Sequence, residues 1–228
     1  MWKALTGVNA ARAAALFFAA AACAAGAQKI DVRGDAAEYS ADGKRAEFRG
    51  NVVVESGGIE IRAERLLVTV RAGGNIYRAF GAPVRASCAA CAGTALHLRA
   101  REIVLRDEDG SAEMSGDVSL CAGGEKSCED GEMRAESAVW RRAEGTAELR
   151  GAPVSGVWKP QDGGAPLRLS AGRISYSQKT GEVELRGDAL VARDGEEIRG
   201  ETISVNLKTR AVSAGGGAGR ARGVFGAE

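Results

Sequence analysis

Beyond the first thirty residues, the side chains with the widest chemical reach are four cysteines: Cys88, Cys91, Cys121 and Cys128. A Cys-x-x-Cys followed by a second pair fits two disulfides, with three possible connectivities, or a four-thiolate zinc site. The spacing of seven between Cys121 and Cys128 is loose for zinc, which favours disulfides. Nothing else gathers into a reactive constellation. His97 is the only histidine and reads as a surface or strand-edge residue. No serine occupies a Gly-x-Ser-x-Gly elbow, and the glycine cluster from Gly215 to Gly219 lacks the Lys-Ser/Thr of a phosphate loop. The chain is therefore expected to be no enzyme, with no cofactor and no bound metal. With 31 Lys+Arg against 30 Asp+Glu, a net charge of +1 and 5% aromatics, it has neither the field nor the stacking platform for nucleic acid.

The N-terminus reads as an address. Lys3 and Arg12 precede an uncharged stretch, Ala13 to Ala25, and Ala25-Gly26-Ala27 supplies a small-x-small cleavage site before Gln28. The expectation is a signal peptide over residues 1–27 and export to the periplasm. Retention of the stretch as an anchor and lipidation at Cys23 are the alternatives. Export places the cysteines in an oxidising compartment, where disulfides persist.

The elements behind these residues repeat. One half-motif carries an apolar residue, Ala or Gly two later, then apolar residues at the sixth and eighth positions. It starts at Val32, Ile61, Leu98, Met133, Leu169 and Ile198, with spacings of 29, 37, 35, 36 and 29. A second half-motif centres on Gly50, Gly81, Gly116, Gly151, Gly187 and, degenerate, Gly215. Period-two alternation around those glycines indicates strands with one dry face. In the first half-motif the apolar parity switches between the third and sixth positions. A bulge or corner there returns all four residues to one side. Helix propensity in Ile61-Arg62-Ala63-Glu64-Arg65-Leu66-Leu67-Val68 is overruled by turn signals such as Ser56-Gly57-Gly58 and Lys179-Thr180-Gly181, which cut the chain into strand-length runs. The expected fold is all-β, a stacked antiparallel jellyroll of six two-strand repeats over residues 28–215. Segments 88–94, 123–131 and 160–166 are expected as loops, and 216–228 as a flexible tail. Cys88 and Cys91 follow the glycine strand of the second unit, and Cys121 and Cys128 that of the third. Staples between adjacent units are favoured over a Cys88–Cys91 bridge.

The run Ala46-Glu47-Phe48-Arg49-Gly50-Asn51-Val52, with the turn and the Ile61-Arg62-Ala63-Glu64 strand that follow, resembles the OstA-like (LptA) family of lipopolysaccharide-transport proteins. Ala79-Phe80-Gly81-Ala82-Pro83-Val84 resembles that family's Gly-x-Pro strand, which ends a rung, and Gly151-Ala152-Pro153-Val154 repeats it. The resemblance covers about residues 30 to 215. It implies a periplasmic protein whose apolar groove shields the acyl chains of lipid A and bridges the inner and outer membranes. Its implied partners are lipopolysaccharide and LptC-like and LptD-like jellyrolls joined by terminal strand pairing, with head-to-tail self-association as a further option. An anchored LptC-like component and a structural β-solenoid without lipid are the alternative readings. The inward, lipid-facing candidates are Val32, Tyr39, Phe48, Val52, Ile61, Leu66, Val68, Leu98, Ile103, Leu105, Met114, Trp140, Leu149, Ile174, Tyr176, Leu185 and Ile203. Alternating Arg and Glu, as in Glu47/Arg49 and Glu148/Arg150, mark the solvated outer face.

Overall fold

The structure, a computed structural model, describes residues 30–56, 58–91, 94–123, 128–159, 164–206, 212–215 and 222–224. The expected signal peptide, 1–27, lies outside these residues. Every regular element described is a strand. The chain runs through β1 (Asp31–Arg33), β2 (Ala36–Tyr39), β3 (Arg45–Ser56), β4 (Ile59–Thr69), β5 (Ile76–Cys91), β6 (Thr94–Arg106) and β7 (Ser111–Ala122). It continues through β8 (Gly131–Arg141), β9 (Thr146–Trp158), β10 (Leu167–Ser177), β11 (Glu182–Arg193), β12 (Glu196–Asn206), β13 (Val212–Gly215) and β14 (Arg222–Val224). All pair antiparallel in one sheet, and from β2 to β13 consecutive strands pair; β1 pairs with β3 and β14 with β12. Both edges are split strands: β1 and β2 lie end to end along β3, and β13 and β14 along β12. The strand positions therefore number six pairs, as the repeats require.

The sheet folds on itself along a crease that crosses every strand. The register between β3 and β4 slips between Arg49 and Val52, that between β5 and β6 between Phe80 and Val84, and equivalent slips continue across the sheet. This is the parity switch read in the first half-motif. Ile61 and Ala63 on one side of the slip, and Leu66 on the other, are all buried, with Val68 packed against the same core. The glycine strands cross the crease in two ways. In β3, β7 and β11 a Gly-Asn or Gly-Asp pair has both residues at positive φ (Gly50 71° and Asn51 46°, for example), which favours glycine and short polar side chains. In β5 and β9 the crossing is Gly-Ala-Pro with a cis Ala82–Pro83 or Ala152–Pro153 bond. The Gly-x-Pro element thus sits in mid-strand and does not end a rung, because β5 continues to Cys91 and β9 to Trp158.

Two other expectations need correction. Residues 88–91 belong to β5 and Thr94 opens β6, so the expected loop shrinks to a tight hairpin. The tail is not wholly free, since Arg222–Val224 pairs with Glu197–Arg199. The rest of 216–228 lies outside the described residues.

Facing residues of antiparallel neighbours share a side of the sheet, so the inner face reads as rows. Val52, Ala63, Val84, Ala100, Val118 and Ala135 line the crease, and their small volume lets the two arms close. On one arm lie Phe48, Leu66, Ala79, Ile103 and their successors; on the other, Val54, Ile61, Ala86, Leu98 and theirs. The outer face carries charge pairs such as Glu60–Arg62 at 2.7 Å and the cross-strand Arg65–Glu47 at 2.7 Å.

Candidate functional site

The space between the arms is a cavity of about 1080 Å³, at the upper end of the roughly 300–1,000 Å³ of ligand pockets. It spans the N-terminal and middle strands and stops at β9. Its walls are Ile61 and Leu98 on one arm and Ile103, Met114 and Leu149 on the other, with Leu105 and Trp140 nearer the lip. Four alanines, Ala86, Ala112, Ala138 and Ala147, leave the room. The same rows carry Ile174, Leu185 and Ile203 in β10 to β12, each at most 1% exposed.

Seven inward candidates line the cavity: Ile61, Leu98, Ile103, Leu105, Met114, Trp140 and Leu149. Val52, Leu66, Ile174, Leu185 and Ile203 are buried in the core. Val32, Phe48, Val68 and Tyr176 are half-buried and packed against it. Tyr39 is a correction. Its partner Ala46 puts it on the inner face, but β2 is an edge strand with nothing beyond it, so the ring is 71% exposed. Its ring meets Phe48 edge-on at 6.1 Å.

The two lips of the cavity differ. One, where β4 turns to β5, β6 to β7 and β8 to β9, is polar. Asn75 Nδ2 donates to Tyr77 Oη at 3.0 Å, and Arg106 pairs with Glu113 at 2.7 Å. Burial pushes the Tyr77 phenol pKa up, against the opposing Asn75 hydrogen bond. Ser111 and Arg142 complete this lip. Tyr77 escaped the candidates although it lies two residues before Ala79 in the same alternation. Asn75 and Ser111 sit at turns, where periodicity gives no signal. The other lip combines Ile59, Cys88 and Leu96 with Ser56, Ser87 and His97.

Near that lip the cysteines correct another expectation. Cys121 is bonded to Cys128, across the hairpin between β7 and β8. Cys88 is also disulfide-bonded, so its partner is neither of these two, and the staple between adjacent units is not formed. The side chain of Cys91 lies outside the described residues. Oxidation also consumes the thiolates a four-cysteine zinc site would need. His97 falls within β6, opposite Ser87 and Cys121, and no metal-ligand cluster forms among the described residues.

The outer charge pairs hold one buried carboxylate. Glu148 on β9 is bonded to Arg150 on its own strand and, at 2.5 Å, to Arg173 on β10. The two arginines cover it to 9% exposure, so it is not the solvated residue its alternation suggested. Partial burial works to raise its pKa, but the hydrogen bonds and charges of Arg150 and Arg173 together outweigh it and hold the carboxyl below the usual range.

No curated protein matches the chain. Among solved structures, LptH from Pseudomonas aeruginosa, described as the LptA homologous periplasmic component of the lipopolysaccharide transport device, matches at 16% identity. That match covers 88% of this chain and 96% of LptH with a TM-score of 0.32. The family model for the LptA/(LptD N-terminal domain) LPS transport protein matches residues 31–211. That span holds the creased sheet from β1 to β12 and every lining residue of the cavity except Ile30. By that match the chain belongs to the LptA/LptD N-terminal domain family and is a component of lipopolysaccharide transport.

Proposed function

We propose that the chain is a periplasmic carrier, without catalytic activity, that holds acyl chains of lipid A between the two arms of its sheet and passes them between membranes. The observation that carries this reading is the apolar cavity with a polar lip. An acyl chain drawn from water gains about 0.8 kcal/mol per buried methylene, so a few methylenes outweigh the cost of ordering the chain. A polar lip lets the charged sugar stay in solvent while its chains enter. The edges β1/β2 and β13/β14 each offer backbone donors and acceptors on which an LptC-like or LptD-like jellyroll, or a second copy, can add a strand.

The test is photo-crosslinking in cells. Probes at Leu105 and Met114, which line the cavity, are expected to capture lipopolysaccharide, and probes at Arg62 and Arg134 on the outer face are not. Equal capture from both faces, or none from the cavity in a folded protein, would sink the carrier reading.

A further inference from the structure

The outer face repeats a charge pattern that two adjacent strands break. On β4, β8 and β12 an arginine binds the glutamate two residues before it. Arg62 Nε meets Glu60 at 2.7 Å and Arg134 Nε meets Glu132 at 2.8 Å, and Arg199 pairs with Glu197 in the same way. On β5 and β6 the arginines in register with Arg62 are Arg85 and Arg99. The positions in register with Glu60 are there taken by Ser87 and His97.

Arg62 faces Arg85, and Arg85 faces Arg99, so three guanidinium side chains stand side by side, all of them exposed. Like charges directly opposite one another destabilise an antiparallel pair, and here the opposition occurs twice. Arg85 makes no ion pair among the described residues. Ser87 and His97 face each other beside the arginines and are half-buried. The ladder of carboxylates is thus interrupted on two strands, next to an arginine without a partner.

We infer that this stretch of the outer face docks an acidic segment of a partner protein, whose two carboxylates take the places that Glu60 and Glu132 take on β4 and β8. The inference is independent of the carrier reading, which concerns the inner face. Guanidinium forks hold carboxylates through paired, charge-assisted hydrogen bonds, so two such contacts fix both the position and the direction of the segment. A membrane surface is the poorer occupant. Its charge is spread over a plane, whereas Arg62, Arg134 and Arg199 in the same row already hold their own glutamates. The interrupted part is two strands wide, with about 5 Å between them, which suits a pair of side chains.

The experiment uses the full chain and dye-labelled decaglutamate, with binding read by anisotropy at low ionic strength, where exposed charges are least screened. Arg85→Gln combined with Arg99→Gln is expected to weaken binding about tenfold. Ser87→Glu combined with His97→Glu, which supplies the carboxylates from within, is expected to do the same. Arg45→Gln combined with Arg71→Gln removes as much charge elsewhere and is expected to leave binding unchanged. Equal weakening by that control, or no binding by the folded parent, overturns the inference. Phosphatidylglycerol vesicles form the parallel arm. Loss of vesicle binding in the Arg85/Arg99 variant, with decaglutamate binding retained, assigns the patch to a lipid surface and likewise overturns it. Arg85→Gln alone separates recognition from folding. Because it relieves a like-charge contact, its melting temperature is expected to equal or exceed that of the parent. A fall would show that Arg85 serves the fold. In cells, a photo-crosslinker at Ser119, opposite Arg99, is expected to capture a peptide with two carboxylates within three residues, and to lose it in the Arg85/Arg99 variant. A captured peptide without carboxylates overturns the inference.

Discussion

At the scale of single residues, side-chain volume decides where this protein is hollow. Ala86, Ala112, Ala138 and Ala147 line the cavity, and beyond it, on β10 to β12, the row that continues from Ala138 and Leu149 carries Ile174, Leu185 and Ile203. The low aromatic content and abundant alanine that make the composition look uninformative are thus local instructions for a void. Charge acts on the other face, where Glu148 ties β9 to β10 through Arg173. Its folded-state pKa lies below its ordinary value of 4.5, so its contribution is present above that value and is lost as the pH falls through the lower, folded one. Glu148→Gln is expected to cost about 0.5–1 kcal/mol at pH 7, because both arginines remain partly solvated. Melting temperatures taken across pH should show the gap between parent and variant closing below pH 4.5. A gap that persists unchanged into acid would mean the pair contributes through packing alone.

At the scale of elements, the crease is the feature that the sequence discloses best. Residues Ile61, Ala63, Leu66 and Val68 break period two once, at the third position, and the register of β4 slips at that place on both sides. The glycine strands disclose less. Gly50-Asn51 and Gly81-Ala82-Pro83 differ in the sequence, but nothing in their alternation tells that both cross the crease in mid-strand. Disulfide pairing was equally hidden, since it depends on the hairpin that brings Cys121 and Cys128 to 5.0 Å between Cα atoms, and not on which unit each cysteine follows. The site itself was half legible: parity found the walls Ile103, Leu105 and Trp140. Where the cavity stops, and the polar lip of Asn75 and Ser111, depend on contacts between strands distant in sequence. Gly187 offers a clean test of the crease. Its φ is +78°, and a Cβ there would meet only Gly172, at an ordinary 3.7 Å. Steric room exists, so Gly187→Ala isolates the backbone cost, expected at about 1–2 kcal/mol in chemical denaturation. A loss under a few tenths of that would show that the crease tolerates another backbone path.

At the scale of the whole molecule, one sheet serves three purposes along its length. At the N-terminal edge Tyr39 is uncovered on the inner face; the cavity spans the N-terminal and middle strands; from β10 onward Ile174, Leu185 and Ile203 are buried. The two edges are not equivalent. At the N-terminal edge, β1 and the link between β1 and β2 carry charged residues that tie back to β3, through Arg33 to Glu55 at 2.5 Å and Asn51 to Asp35 at 2.8 Å. At the C-terminal edge, among the described residues, β12 is covered by the short β13 and β14, four and three residues long. Beneath them lie Ile198 and Ile203, at 4% and 0% exposure. An uncovered strand with apolar inward residues is a template for another chain. Deletion of residues 212–228 removes both short strands and leaves β12 as a continuous edge of eleven residues. The expected outcome is concentration-dependent self-association, read by sedimentation velocity as a shift to dimers and larger species that the parent does not form under the same conditions. Because β12 lies far along the sheet from the cavity, lipid capture from Leu105 should survive the deletion. A truncated chain that sediments like the parent would show that β13 and β14 do not guard the edge, and that the lateral charges on β12, Glu197 and Arg199, are enough to keep it single.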